Sequence, residues 1–464
     1  MFNEEEYVGV LLERVLLAPL PGGLSCEVVV VDDGSTDSSA EVVREVAARW
    51  PGRIRLIRHE HNRGKGAAIR TAIEHATGEF AIIQDSDLEY DPNEFQHLLR
   101  PMVEGRCDVV FGSRFVVAGE RRVLYFWHSL ANHLLTTAAN MAADTNLTDV
   151  MTCYKAFRLS LMRGIPLRSN GFGIEVELAI KLAQRRASII EIPISYYGRT
   201  YLEGKKIGLL DAIKAFLTVF RFGPRRDIYQ DEGAAILDTL AQTPNLNQWM
   251  AEVVGPHLGS RVLELGAGIG NLTRTLCPRR KRYIATDLDA EHLARLATNF
   301  AFRPNLRFLT CDLENSEDFR KIDEEVDSVV CLNVLEHVKN DLLGLSNIYS
   351  VLQPGGRAVI LVPQGMSVYG TLDVVLGHYR RYTEDELRSK MEQTGFRVEH
   401  MLRFNRVTRP AWFFNGRILK RRGFSRFQLW VFDRMVWFWK WLDPKLPWNP
   451  VSIIAVGVKP NPSL

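Results

Sequence analysis

The sequence predicts an α/β protein of two domains in tandem, each a mainly parallel sheet flanked by helices. Three observations predict it. Short apolar strands alternate with helical stretches in two separate runs, acidic residues close two strands of the first run, and a glycine-rich loop follows the first strand of the second. Parallel strands need a crossover, so strand and helix must alternate along the chain.

The first run begins with strand Glu27–Val31, then helix Ser38–Trp50, strand Ile54–Arg58, helix Ala67–Ala76 and strand Phe80–Gln84. It closes near Gly223-Pro224-Arg225-Arg226, residues that break regular structure. The second run opens with a helix around Asn247–Val254. Strands follow at Arg261–Leu265, Tyr283–Thr286, Arg307–Leu309, Ser328–Leu332 and Ala358–Val362, with a last one at Val451–Val458. The expected division is a first domain over 1–226, a linker and entry helix over 227–245, and a second domain over 246–464. The second carries an aromatic and basic insertion over 405–450. A chain of 464 residues suits two such domains.

Composition narrows the function. A formal charge of +3 gives no reason to expect a nucleic-acid partner. The six cysteines form no Cys-x-x-Cys pair, so neither a zinc site nor a disulfide framework is expected, and a reducing cytoplasm fits. The opening Met-Phe-Asn-Glu-Glu-Glu is not a signal peptide. The two most apolar segments, Ile207–Gly223 and Leu429–Leu442, are interrupted by charges and read as amphipathic helices. The insertion holds Trp412, Trp430, Trp437, Trp439, Trp441 and Trp448 among arginines and lysines. That mixture suits a lid over a site or a peripheral contact with the inner face of a membrane.

Two places carry chemistry. In the first run, strand Glu27–Val31 ends in Asp32-Asp33 and strand Phe80–Gln84 ends in Asp85-Ser86-Asp87. Ligands bind at the carboxyl ends of strands in open α/β sheets. Two carboxylates two residues apart offer the hard oxygens that Mg²⁺ or Mn²⁺ takes beside a diphosphate. In the second run, Val262-Leu-Glu-Leu-Gly-Ala-Gly-Ile-Gly270 leads a strand into a loop whose glycines let a ligand approach the backbone. Asp287 follows the next strand and Asp312 the third. A dinucleotide loop has its third glycine one residue later, and here Glu264 lies inside the strand.

The second run resembles the class I S-adenosylmethionine-dependent methyltransferases. The likeness rests on the glycine loop, Asn333-Val-Leu-Glu-His-Val338, Leu352-Gln-Pro-Gly-Gly356 and Gly395-Phe396, in family order. It implies that Glu264, Gly266, Gly268 and Gly270, with Asn333, hold S-adenosylmethionine, while Asp287 takes the ribose and Asp312 the adenine. His337 and His378 are then the candidate bases for an alcohol acceptor, since histidine titrates near neutral pH.

The first run resembles family 2 glycosyltransferases of the GT-A fold, in particular the polyprenyl-phosphate mannose synthase-like branch. The matching residues are Phe2-Asn-Glu-Glu5, Val31-Asp-Asp-Gly-Ser-Thr-Asp37, Asn62-Arg-Gly-Lys-Gly-Ala67, Gln84-Asp-Ser-Asp-Leu-Glu-Tyr-Asp-Pro92 and Gly112-Ser-Arg-Phe115. Thr148-Asp149, Cys153-Tyr-Lys-Ala-Phe-Arg158 and Tyr196-Tyr-Gly-Arg-Thr-Tyr201 follow. The resemblance implies that Glu4, Asp33, Lys65 and Asp85 bind a UDP- or GDP-sugar, and that Asp85 and Asp87 hold the metal. A polyprenyl phosphate would be positioned by Arg114, Arg122, Arg199, Lys205 and Lys206. A glycan alcohol would need a base, for which Asp149 is the candidate, with Glu175 behind it. In this family a strand ordinarily precedes Phe2-Asn3-Glu4; the expectation is either that it lies upstream of Met1 or that the domain lacks it, which would leave two strand edges uncovered. The expectation is a cytoplasmic enzyme with both activities, or an active methyltransferase whose first domain serves only for binding.

Overall fold

A computed structural model of the chain describes residues 1–116, 125–198, 209–224, 227–229, 239, 243–289, 292–293, 296–297, 300, 303–421, 423 and 425–461. The chain forms two compact units, Met1–Gln230 and Asp231–Leu464.

The first unit holds two sheets. Strands β1 (Val28–Asp32) and β2 (Ile54–Arg58) pair in parallel. Strands β3 (Phe80–Ile82), β4 (Val109–Ser113), β5 (Lys155–Arg158) and β6 (Ile189–Pro193) form a second sheet in the order β3-β5-β4-β6. Helices α1 (Val8–Leu17), α2 (Ser39–Arg49) and α3 (Lys65–His75) surround the first sheet, and α1 and α2 pack on its β1 and β2 side chains. The helix Gly173–Gln184 is buried all round and anchors the core of the larger sheet. β5 runs antiparallel to β3 and β4, so this sheet is mixed rather than wholly parallel. No strand signal marks β5 in the sequence beyond the motif Tyr154–Arg158, because four residues are too few to show a period.

Between β1 and β3 lies a cavity of about 710 Å³, lined by Val28–Val31, Phe80–Ile83 and the α1 side chains Leu11, Leu12 and Val15. Its walls are apolar along the strands and acidic at the rim, where Glu4, Asp33, Asp85 and Asp87 stand. At that end Met1 sits against β1: its ammonium donates to the Val31 carbonyl (2.8 Å) and its carbonyl accepts from the Asp33 amide (2.8 Å). Among the described residues no strand precedes β1, and β1 and β3 do not pair.

The second unit is one seven-stranded sheet. Its strands are β7 (Arg261–Leu265), β8 (Arg282–Asp287), β9 (Leu306–Thr310), β10 (Val326–Leu332), β11 (Leu352–Pro363), β12 (Arg397–Phe404) and β13 (Ser452–Val458). The order is β12-β13-β11-β10-β7-β8-β9, with β13 antiparallel to both neighbours. β10 is mostly buried and β11 wholly so from Ala358 to Pro363, as Val/Ile/Leu runs covered on both faces should be. The order reverses beside β7, so the carboxyl ends of β7 and β10 open a crevice at that switch point. The insertion is helical, and the apolar segment Leu429–Leu442 breaks into two helices, Arg426–Arg434 and Val436–Leu442, at Met435.

Candidate functional site

In the first unit the acidic residues and Lys65 meet at the rim of the cavity. Gly64 adopts φ +94°, and a Cβ there would lie 2.5 Å from the Asn170 carbonyl oxygen, so glycine is required for the turn that starts α3. This turn delivers the Lys65 ammonium to 2.7 and 3.0 Å from the two Asp85 oxygens and 2.8 Å from Glu175 Oε1. Burial alone would lower the Lys65 pKa, but the charges of Asp85 and Glu175 outweigh it and raise it well above the usual value. Burial likewise works to raise the Asp85 pKa, and Lys65 outweighs it, so Asp85 stays ionised. Glu175 also bonds the buried Lys155, which makes it a bridge between two lysines. Sequence reasoning assigns Glu175 only a reserve role and does not single out Lys155 or Cys153, which packs against Asp85.

Asp33 is 4% exposed and turned inward. Its carboxylate accepts from the His59 ring (2.7 Å) and from the Arg63 (3.0 Å) and Gly64 (2.7 Å) amides, so it fixes the loop that presents Lys65. Glu4 lies at the same rim, and its amide donates to the Ser39 hydroxyl (2.9 Å). Asp87 is half-buried and accepts from the Glu89 amide at 3.2 Å.

Arg114 and Asp149 are paired with each other. The guanidinium donates two bonds to the carboxylate, Nε to Oδ2 (2.6 Å) and Nη2 to Oδ1 (2.8 Å). The Arg114 amide and the Asn132 side chain add two more. Burial pushes the Asp149 pKa up, but Arg114 and these donors outweigh it and hold it below the usual carboxylate range. A carboxylate with four donors and a lowered pKa is a poor proton acceptor, which argues against Asp149 as a base. Arg114 in turn commits two of its five guanidinium N–H donors to Asp149 before any phosphate arrives. The other expected phosphate contacts, Arg122, Arg199, Lys205 and Lys206, lie outside the described residues.

In the second unit β7 runs into Gly266, Gly268 and Gly270, all with positive φ (73°, 55° and 88°). A Cβ on Gly266 would come within 2.3 Å of Val334, whereas one on Gly268 would meet nothing within 4 Å. The loop is therefore packed at one end and open over Gly268. Asp287, at the end of β8, accepts from the Gly268 amide (2.7 Å) and the Asp289 amide (3.0 Å). Glu264 is buried beneath the loop, bonded by the Thr273 hydroxyl (2.5 Å), and burial pushes its pKa up to about 7. Asp312 is half-buried after β9 and accepts from the Glu314 amide (2.9 Å). Asn333 is exposed at the end of β10 with φ +55°.

His337 and His378 do come together, their rings 4.8 Å apart and edge to face. Sequence reasoning does not separate Glu336 from its motif, nor does it find Asp373. Asp373 accepts from the His378 ring (2.9 Å) and from Arg381 Nε (2.7 Å). A five-residue spacing across the end of a short helix gives no periodic signal.

Comparison with known proteins finds a match within each of the two units. The family model described as glycosyl transferase family 2 matches residues 1–165, and one described as a methyltransferase domain matches residues 263–358. The chain thus joins a family 2 glycosyltransferase domain to a methyltransferase domain. Among curated relatives, the dolichol-phosphate mannosyltransferase of Pyrococcus furiosus is 27% identical over 44% of this chain and 58% of its own length. The undecaprenyl-phosphate 4-deoxy-4-formamido-L-arabinose transferase of Edwardsiella ictaluri is 29% identical over 40% of this chain and 58% of its own. Glycosyltransferase AglJ of Haloferax volcanii is 29% identical over 37% and 54%. The chain thus spans a little over half the length of these relatives. Similar solved structures include the N-methyltransferase NodS of Bradyrhizobium japonicum in complex with S-adenosyl-l-homocysteine (15% identity, TM-score 0.32, 48% of this chain and 88% of that one). The YcgJ protein of Bacillus subtilis is another (16% identity, TM-score 0.32, 47% and 98%).

Proposed function

We propose that the chain carries two transferase activities. The first unit transfers a sugar from a UDP- or GDP-sugar to a polyprenyl phosphate or glycan, with inversion. The second methylates a related glycan or lipid-linked acceptor from S-adenosylmethionine. The observation that supports the first most is the Asp85–Lys65–Glu175 cluster at the rim of a cavity, where one cation sits between two carboxylates. Asp85 and Asp87 are hard oxygen donors, and the chemistry of that set fits Mg²⁺ or Mn²⁺. Bound there, the metal would supply positive charge for the leaving diphosphate. Lys65 holds Asp85 ionised and in place, and Asp33 holds the Lys65 loop.

For the second unit, the open space over Gly268 and the carboxylate of Asp287 fit a nucleoside at a strand end. S-adenosylmethionine supplies an electrophilic methyl group. The protein's part is alignment of the acceptor and removal of its proton.

Exposed aromatics support a peripheral membrane contact. Phe427, Trp430, Trp437 and Trp441 are 59–74% exposed in the insertion, and Phe126 and Trp127 are 70–75% exposed in the first unit. No helix among the described residues is long and apolar enough to cross a membrane.

A second reading keeps only the methyltransferase active and makes the first unit a binding module. The cavity separating β1 from β3 favours it, since the donor site spans both strands. Turnover of UDP- and GDP-sugars with Mg²⁺ or Mn²⁺ and a polyprenyl phosphate, beside Asp87→Ala, decides. Turnover lost in the variant supports two activities. Donor binding without turnover supports the module.

A further inference from the structure

The second unit gathers three side chains of metal-ligating type, of which His337 and His378 are also the candidate bases and Glu336 has no other role. The turn Leu335–His337 follows β10, and the loop after helix Thr371–Leu376 brings His378 to it. Glu336, His337 and His378 each offer a ligand atom, and these atoms lie within 4.8 Å of one another. Glu336 is fully buried, and neither of its carboxylate oxygens is hydrogen-bonded to another residue. An unpaired carboxylate in a protein interior is costly and calls for a partner.

The histidines are posed for ligation. His378 Nδ1 lies 2.9 Å from Asp373 Oδ1, which turns Nε2 toward Glu336 Oε1 at 3.9 Å. That distance is too long for a hydrogen bond. It is close to the separation of about 3–4 Å expected between two ligands of one ion with metal–ligand distances near 2.1 Å. Asp373 is itself fixed by Arg381 Nε (2.7 Å) and faces the Trp412 indole (3.5 Å). A carboxylate behind a ligating histidine is the usual outer support of a metal site. Arg381 neutralises Asp373, so Glu336 is the carboxyl left to balance a cation bound at the two rings.

We propose that Glu336, His337 and His378 form a divalent-metal site in the methyltransferase unit, taking a transition-metal cation of the Mn²⁺, Fe²⁺, Co²⁺ or Zn²⁺ class and offering its open positions to oxygens of the methyl acceptor. Two imidazoles and one carboxylate suit that class better than Mg²⁺ or Ca²⁺. Three protein ligands leave room for substrate oxygen. The site adjoins the glycine loop, because Val334 on the same turn packs against Gly266. The acceptor role rests on the methyltransferase reading, whereas the metal site does not.

The test uses the full chain carrying Asp87→Ala, stripped with chelator and titrated with Co²⁺, with visible absorption read for imidazole ligation. The expected result is one Co²⁺ per chain. Glu336→Gln and His378→Gln each weaken it by at least about 100-fold, and Asp373→Asn weakens it by about 10- to 100-fold. Calorimetric binding of S-adenosylmethionine, measured on each variant, shows that the unit is folded. If Glu336→Gln loses that binding, His378→Gln decides alone. Absence of Co²⁺ binding in the Asp87→Ala chain, or binding unchanged in variants that still take S-adenosylmethionine, overturns the site. Methyl transfer by metal-free chain would then leave the methyltransferase reading standing. Co²⁺ binding in a chain that never takes S-adenosylmethionine would keep the site and sink that reading.

Discussion

The Lys65 ammonium lies 2.7 and 3.0 Å from the two oxygens of Asp85, closer than a water-separated pair and with only 17% of the Lys65 side chain exposed. Lys65 is thus the counter-charge of the proposed donor site before any ligand enters. Lys65→Met should leave Asp85 and Glu175 without their shared cation. The expected outcome is Mn²⁺ binding that is tighter, because the site becomes more negative, and nucleotide diphosphate binding weaker by about 10-fold, about 1.4 kcal/mol. Calorimetry with each ligand checks both directions. If the two affinities moved together, Lys65 would be acting on the fold rather than on charge.

Arg114 and Asp149 make a testable contrast between stability and catalysis. The Asp149 side chain has no exposure and its partner's has 14%, so Arg114→Ala strands a buried carboxylate. Removing one partner of a buried pair costs about 3–5 kcal/mol. Urea unfolding of the first unit's transition should show a loss of that order, and Arg114→Lys should recover only part of it because lysine cannot reproduce the fork. The sign with pH follows from the lowered Asp149 pKa. The pair's contribution is present above the unfolded carboxylate pKa and is lost as pH falls through the folded one. Wild type and Arg114→Ala should therefore converge in acid.

Much of this was legible in the sequence, and what was not has a physical cause. β2 and β7 fall where the apolar runs Ile54–Arg58 and Arg261–Leu265 put them. Gly266 and Gly268 do take the left-handed backbone that a close approach requires. The two-sheet division of the first unit was only half visible. The parallel rhythm of β1 and β2 could be read from their apolar runs, but not the antiparallel insertion of β5, which depends on pairing between residues more than seventy positions apart. Charge partners were the least legible. Arg114 and Asp149 each looked available in sequence, yet they pair with each other, and only contact distances reveal that.

Glu264 gives a pH dependence of its own. Burial raises its pKa from about 4.5 to about 7, so the folded state holds a proton that the unfolded state releases. The sign is that of a raised acid. Stability falls as pH rises from the unfolded value toward the folded one and is flat above it. Glu264→Gln removes the titration, so it should gain relative to wild type between about pH 5 and pH 8. The gain should reach up to a few kcal/mol, on the order of 1.4 kcal/mol for each pH step between the two values. A cationic amino group bound beside Glu264 would favour its ionised form. S-adenosylmethionine should then bind more tightly at pH 8 than at pH 6 in wild type, with no such trend in Glu264→Gln. Calorimetry at three pH values checks it, and parallel slopes would place the ligand's amino group elsewhere.

Gly266 and Gly268 differ in what a methyl group would meet, and that difference separates packing from ligand binding. At Gly266 a Cβ falls 2.3 Å from Val334 in a backbone of φ +73°, so Gly266→Ala suffers both strain and a clash inside the fold. At Gly268 the backbone is also left-handed, φ +55°, but the space is empty. Gly268→Ala should cost about 1–2 kcal/mol, the strain of one left-handed residue. Gly266→Ala should cost more, and Val334→Ala in the same chain should return the difference, because it removes the atoms in the way. Gly268→Ala should instead show its main effect on ligand, weakening S-adenosylmethionine by about 10-fold or more while ligand-free thermal unfolding falls less than in Gly266→Ala, since the open space over Gly268 is where the cofactor is proposed to lie. Thermal unfolding with and without ligand resolves the two. Equal ligand loss in both variants, with no rescue by Val334→Ala, would mean that the loop binds through its backbone path as a whole rather than through the opening at Gly268.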